Sequence, residues 1–303
     1  MYANMSFVTF IVQDNGIIDV EETLKVIPHI NVNGIGFWGH TPLLECCHHW
    51  DRFNIPLSEI EMEKRLTIAK KLIESGVDVN LIGRDFRDTP IMEAIRSNQL
   101  ELFYLLVQHG ANLYFREDER TGDGENDFPL SIACRYNRTE MAKCIIENTK
   151  QGPHNFHDLY DGWYTVLGLC ARNMNDELID LLLQNGVNPD QINPTQRPRT
   201  AFQMYLYAMP EEFPFPFEAD RENIIFYLHD TLDHHADTIY KEKNMTVIFD
   251  RIGLFYRYDP EIKPLIDMCK KHYTDHIDKL NQILLHPNVP YQFAHDIVSF
   301  LIR

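Results

Sequence analysis

The sequence lacks the patterns that announce most chemistries. It has no G-x-S-x-G elbow, no phosphate-binding glycine–lysine loop and no H-E-x-x-H helix. Its six cysteines (Cys46, Cys47, Cys134, Cys144, Cys170 and Cys269) include no C-x-x-C pair, and in 303 residues they make no disulfide framework. Reduced thiols in a cytoplasmic compartment are expected. Positive charge is scarce: 28 Lys and Arg stand against 45 Asp and Glu, a formal net charge of −17. That excludes a general binder of nucleic acid or anionic membrane, since both need a positive field. No apolar run approaches 18 residues, so no membrane span is expected. The apolar stretch Phe7 to Val12 has no basic leader or small-residue cleavage site, so it does not read as a signal peptide.

What the chain does have is 44% apolar residues, enough for a sizeable core, arranged in a returning unit. Thr41-Pro42-Leu43, Thr89-Pro90-Ile91, Phe128-Pro129-Leu130 and Thr165-Val166-Leu167 each open an apolar helix, with a weaker start at Thr200. A threonine hydroxyl can cap free N–H groups there, and proline suits the first helical turn. Five and six residues after each start stand Cys46-Cys47, Ala94-Ile95, Ala133-Cys134 and Cys170-Ala171, mostly small residues that let helices approach. A second helix follows in each unit, with the aliphatic pairs Leu72-Ile73, Leu106-Val107, Ile145-Ile146 and Leu182-Leu183. Three units then close at Gly76, Gly110 and Gly186, as Gly-Val-Asp-Val-Asn, Gly-Ala-Asn and Gly-Val-Asn.

These motifs resemble ankyrin repeats, best between about Gly39 and Asp190. The resemblance implies an all-α solenoid of helix-turn-helix units that binds other proteins through one extended face. The starts at 41, 89, 128, 165 and 200 give strides of 48, 39, 37 and 35, longer than the ideal of about 33. Insertions at Asp51 to Glu61, Arg116 to Asn126 and Glu147 to Asp158 account for the excess. The family's usual histidine is replaced by Leu44, Met92, Ser131 and Gly168, so its hydrogen bond is expected to be missing. The expected organisation is an N-terminal capping unit over 1–38, four repeats over 39–190, two divergent units over 191–273 and a helical cap over 274–303.

Possible reactive clusters read more simply as structure. Cys46-Cys47-His48-His49 offers zinc-ligand types, but four adjacent residues point in four directions, and both cysteines hold the small-residue positions. The histidines at 234 and 235 suit a helix C-terminus, and His272 with His276 lacks a partner motif. Asp118 to Asp127 does not keep calcium-loop spacing. No cofactor, metal or catalytic residue is expected.

One pattern rises above background. Seven residues after each helix start stand His48, Arg96, Arg135 and Arg172. In the ankyrin arrangement these fall on the concave side, one basic residue per unit. His49, Ser97, Tyr136 and Asn173 lie beside them, and Trp38, His40, Phe86, Asp88, Trp163 and Tyr164 stand near the loop tips; Trp38, Phe86, Tyr136 and Tyr164 would supply apolar anchoring. Arginine and aromatic side chains together anchor interfaces. The alternative is that each arginine pairs with an acid of its own or a neighbouring unit. The expectation is a monomeric module that binds an acidic or phosphorylated protein segment. Irregular units of this kind resemble those of bacterial effectors acting in a host cytosol. Rival expectations are a ubiquitin-ligase adaptor using segments 265–270 and 287–301, or an enzyme region within 200–303.

Overall fold

A computed structural model describes residues 13–14, 17–36, 39–48, 57–83, 88–114, 127–149, 164–192, 199–208, 221–233 and 245–284. The chain divides into two compact units, Met1–Leu169 and Cys170–Arg303, and the division crosses the expected block 39–190. The first unit begins with an antiparallel pair of two-residue strands, β1 (Gln13–Asp14) and β2 (Ile17–Ile18). Helix α1 (Val20–Val26) follows, capped by Asp19 on the Glu22 N–H. Three helix pairs come next: α2 (Pro42–Cys47) with α3 (Glu59–Glu74), α4 (Pro90–Arg96) with α5 (Leu100–Gln108), and α6 (Pro129–Arg135) with α7 (Thr139–Thr149). First helices pack on first helices, α2 on α4 and α4 on α6. In the second layer, α3 packs on both α1 and α5. Helix α8 (Val166–Arg172) contains the division between the units.

The sequence dictates these elements locally. Thr41 Oγ1 accepts the Leu44 N–H, and Thr165 Oγ1 accepts the Gly168 N–H. Thr89 is different: its hydroxyl is buried and makes no cap bond. Ser131, where the family's histidine would stand, supplies a replacement bond, with its hydroxyl accepting the Phe128 N–H at 3.1 Å. Cys46, Cys47, Ala94, Ala133 and Cys134 are buried, as the close approach of first helices requires. Burial pushes the Cys46 thiol up to about 12, and that of Cys47 well above its ordinary value. Both are therefore inert packing groups at neutral pH.

Helix ends in the first unit close by a repeated backbone turn. Gly110 donates to the Val107 carbonyl and Ala111 to that of Leu106; Gly76 and Val77 do the same to Ile73 and Leu72. The closing residue is left-handed, with φ of 84° at Gly76 and 83° at Gly110, which favours glycine. The first helices of the second and third pairs use asparagine for this, Asn98 at φ 55° and Asn137 at φ 56°. The turns are then tied in series. Asn33 Oδ1 accepts the Asp78 N–H at 2.7 Å, and Asn80 Oδ1 accepts the Asn112 N–H at 2.7 Å.

The second unit contains α9 (Asp176–Gln184), α10 (Ala201–Ala208), α11 (Arg221–Asp233), α12 (Met245–Tyr256) and α13 (Ile262–Leu284). Gly186, at φ 83°, closes α9 as expected. Helix α12 packs on α9 and α13, and α13 packs on α11. Two boundaries differ from the sequence reading. The first insertion ends earlier, because Ser58 caps α3 and Glu59 is already helical. No break separates 273 from 274: α13 runs through, since neither proline nor glycine interrupts it there. The segment 287–301, with its adaptor resemblance, lies outside the described residues.

Candidate functional site

The first helices of the first unit are short and end side by side, which places His48, Arg96 and Arg135 in succession. Acids stand between them. Glu93 divides its carboxylate: Oε2 lies 2.8 Å from His48 Nδ1, and Oε1 lies 3.5 Å from Arg96 Nη1. Asp127 divides its own in the same way, with Oδ2 on Arg96 and Oδ1 2.8 Å from Arg135 Nη2. Asp88 adds a third acid on Arg96, at 2.6 Å. The ladder is therefore an alternating zipper of base and acid running across three helix pairs.

Burial shapes its electrostatics. Burial disfavours the charged form of Arg96, but Asp88, Glu93 and Asp127 outweigh it and hold the guanidinium above its usual range. Burial likewise opposes ionisation of Glu93. The bond to His48, with Arg96 and Asp88 beside it, still keeps this carboxyl below the ordinary glutamate value. At Asp88 the balance reverses: burial, aided by the Glu93 charge, pushes the carboxyl up to about 6 despite Arg96.

The expectation named four basic residues, and three of them are brought together here. Arg96 and Arg135 are ion-paired to acids of their own and neighbouring pairs, the arrangement weighed above as the alternative to a binding ladder. Arg172 is exposed and belongs to the second unit, whereas Tyr164 is half-buried in the first. Tyr136, directly after Arg135, is 43% exposed. Trp38, Phe86, Trp163 and His49 lie outside the described residues.

The spacing that pairs these acids with the ladder was legible but missed. The residue before each helix start is His40, Asp88 or Asp127, eight positions before His48, Arg96 or Arg135. Each meets its own partner. The rings of His40 and His48 lie edge to face at 4.9 Å, Asp88 holds Arg96 and Asp127 holds Arg135. Also missed were the side chains that close the first helices. Arg65 donates to the carbonyls of Glu45, Cys46 and His48, Gln99 to that of Cys47, and Arg138 to those of Ile95 and Arg96. Gly34-Ile35-Gly36-Phe37-Trp38-Gly39 matches the glycine spacing of a dinucleotide turn. That spacing needs a preceding strand and a following helix to cradle a pyrophosphate. Here it follows α1 and a turn of 3₁₀ helix, and Gly36 donates to the His40 carbonyl at 2.8 Å to close a tight turn.

Among the described residues, no group of histidine, cysteine and acid side chains could hold a metal ion, and no helix is long and apolar enough to cross a membrane. Comparison with known proteins agrees with the helix pairs. The family model for ankyrin repeats matches residues 57–151, in three copies. Residues 57–151 are ankyrin repeats.

A curated relative, the human transient receptor potential cation channel subfamily A member 1, is 26% identical over 179 residues. The match covers 58% of this chain but only 15% of the channel. A solved structure also matches, that of the Bd0816 predatory endopeptidase of Bdellovibrio bacteriovorus in complex with immunity protein Bd3460. It covers 62% of this chain and 86% of the matched chain, at 21% identity and a TM-score of 0.48. Ankyrin repeats are protein-interaction modules, and the all-α repeat architecture read from the sequence stands.

Proposed function

We propose that the first unit binds an extended protein segment along the first-helix face of its repeats, with Arg135 and Tyr136 as the point of contact. The observation that carries this is the exposed ring of Tyr136, 43% accessible, directly after Arg135 at the end of a first helix. A guanidinium beside an aromatic face can grip a carboxylate or phosphate while the ring covers an apolar neighbour. In this reading His48 and Arg96, paired to Glu93, Asp88 and Asp127, hold the repeats in register. The partner's acidic or phosphorylated residue meets Arg135.

Arrayed acidic and phosphorylated peptides, probed with the full chain, test it. The wild type should retain a subset of peptides. The double variant Arg135→Gln, Tyr136→Ser should lose them by about thirtyfold, the usual scale of an interface hot spot. Its melting temperature should stay close to wild type. Undiminished binding by the double variant defeats the proposal. Arg96→Gln serves as contrast, since its main effect should be a lower melting temperature.

A further inference from the structure

Among the described residues, the permanent cations of the zipper are Arg96 and Arg135 and its carboxylates are Asp88, Glu93 and Asp127, one more than the two guanidiniums. All of these side chains are largely removed from water. Moreover, Asp88 and Glu93 are hydrogen-bonded to each other. Two carboxylates can share a hydrogen bond only if one of them carries a proton. Both also touch Arg96 Nη1, so the cation that attracts them holds like charges together.

We propose that the Asp88–Glu93 pair takes up one proton in mild acid and that this proton tightens the joint between the first and second repeats. Asp88 is the donor and Glu93 the acceptor. Glu93 then keeps its ionised oxygens for His48 on one side and Arg96 on the other. When the proton leaves, the three carboxylates that meet these guanidiniums are all charged, and the repulsion falls on Glu93, the residue that spans the joint. Among the described residues, the other groups facing the pair come from the elements on either side. From α2 and the turn before it come His48 and His40, whose rings pack on each other. From α6 and its preceding turn come Arg135 and Asp127. Arg65 and Arg138 approach the same helix ends, but they donate to backbone carbonyls.

The direction of the pH effect follows from the two acids. Asp88, raised to about 6 when folded against about 4 unfolded, stabilises the fold fully below the unfolded value. That contribution falls away as pH rises through 6. Glu93 is lowered, so its contribution is present above the ordinary glutamate value and is lost only in stronger acid. Between pH 4.5 and 7, roughly, the Asp88 contribution sets the slope.

Amide exchange of the full chain at pH 5 and pH 7.5, corrected for intrinsic rates, reads the joint directly. Segments 42–47 and 90–96 should open about tenfold less often at pH 5, the factor corresponding to one unit of displaced titration. Segment 176–184 in the second unit serves as reference. Asp88→Asn mimics the protonated acid and should remove most of the difference by raising protection at pH 7.5. If Asp88→Asn instead lowers protection equally at both pH values, Asp88 is an ordinary ion-pair partner and the proposal fails. It also fails if His48→Gln flattens the pH dependence while Asp88→Asn preserves it, since the proton would then belong to His48.

Discussion

In the first unit, left-handed backbone turns and the guanidiniums of Arg65 and Arg138 close the helix ends; in the second, beyond the Gly186 turn that closes α9, aromatic rings and half-exposed ion pairs do the joining. The first unit's core is mostly aliphatic and small, with Leu43, Leu44, Cys46, Cys47, Ala94 and Ile95 fully buried beside the single rings of Phe103 and Phe128. The second centres on rings. Phe255 lies 5.2 Å from Phe202 and 5.4 Å from Tyr205, and Tyr256 lies 6.1 Å from Phe202. Its polar ties are hydroxyls and carboxylates near the surface. Tyr205 donates to Asp176 at 2.7 Å, and Tyr256 to Asp190 at 2.8 Å. A repeat whose backbone closes itself tolerates small side chains. Between α10 and α12 it is the rings that fix the helix angle.

Removing one ring should therefore be the most damaging single change. Phe255→Ala should cost about 3–5 kcal/mol, the range for emptying a buried aromatic site. The two units can be followed separately, because Trp38, Trp50 and Trp163 all fall in the first. Urea unfolding by tryptophan fluorescence should keep its midpoint in this variant, while the far-ultraviolet dichroism gains an earlier transition. A shift of both signals together would mean that the units unfold as one.

The converse change targets the first unit. Arg65 is buried and holds three carbonyls at the end of α2. Arg65→Met should cost about 3 kcal/mol, because those acceptors would be left without their charged donor. Its counterpart, Arg251, reaches Asp176 at 3.2 Å from a third-exposed position, and Arg251→Met should cost no more than about 1 kcal/mol. Equal losses would erase the distinction between buried closure and surface tie.

Legibility in the sequence follows the same division. The Gly-x-Asp/Asn closings, the Thr-Pro starts and the small-residue pairs are backbone requirements, so they leave fixed residues at fixed spacing. Gly110, Asn112 and Thr41 could be read from the chain alone for that reason. The zipper was half legible. Its bases repeat with the helix starts, but Glu93 stands where the repeat prescribes no residue type, and Asp88 and Asp127 precede the motif. Arg65, Gln99 and Arg138 also repeat, each seven residues before the aliphatic pair of its second helix (Leu72, Leu106 and Ile145), but the residue type changes and no helix-start motif marks the position. In the second unit the aromatic cluster draws on residues 202, 205, 255 and 256, about 50 positions apart, with no period to reveal it.

Backbone closure offers a finer test. Gly110→Ala should cost about 1 kcal/mol. An added Cβ would meet nothing within 4 Å, so the loss reports φ alone. The second unit contains the reverse case. Met174 is left-handed at φ 51° in the turn before α9, where the equivalent residues of the first unit are asparagines. Met174→Asn should therefore gain roughly half a kcal/mol. If the gain is absent, the strain at Met174 is offset by its side-chain packing.

The smallest expected effect concerns acid. Asp259 accepts N–H groups from Glu261 and Ile262 at the start of α13, and Arg221 Nε donates to it at 3.0 Å. Burial opposes its ionisation, but Arg221 and the two N–H groups hold its carboxyl below the ordinary aspartate value. This contribution is present above the unfolded value near 4 and is lost as pH falls through the lower folded one, opposite in sign to Asp88. Asp259→Asn keeps an oxygen for the cap and removes the charge, so it should cost under about 1 kcal/mol at pH 7. Against wild type, the deficit of Asp259→Asn should shrink steadily as pH falls below the ordinary aspartate value. A deficit that persists there would mean that shape rather than charge holds Asp259 in place, and that the two units do not differ in their response to acid.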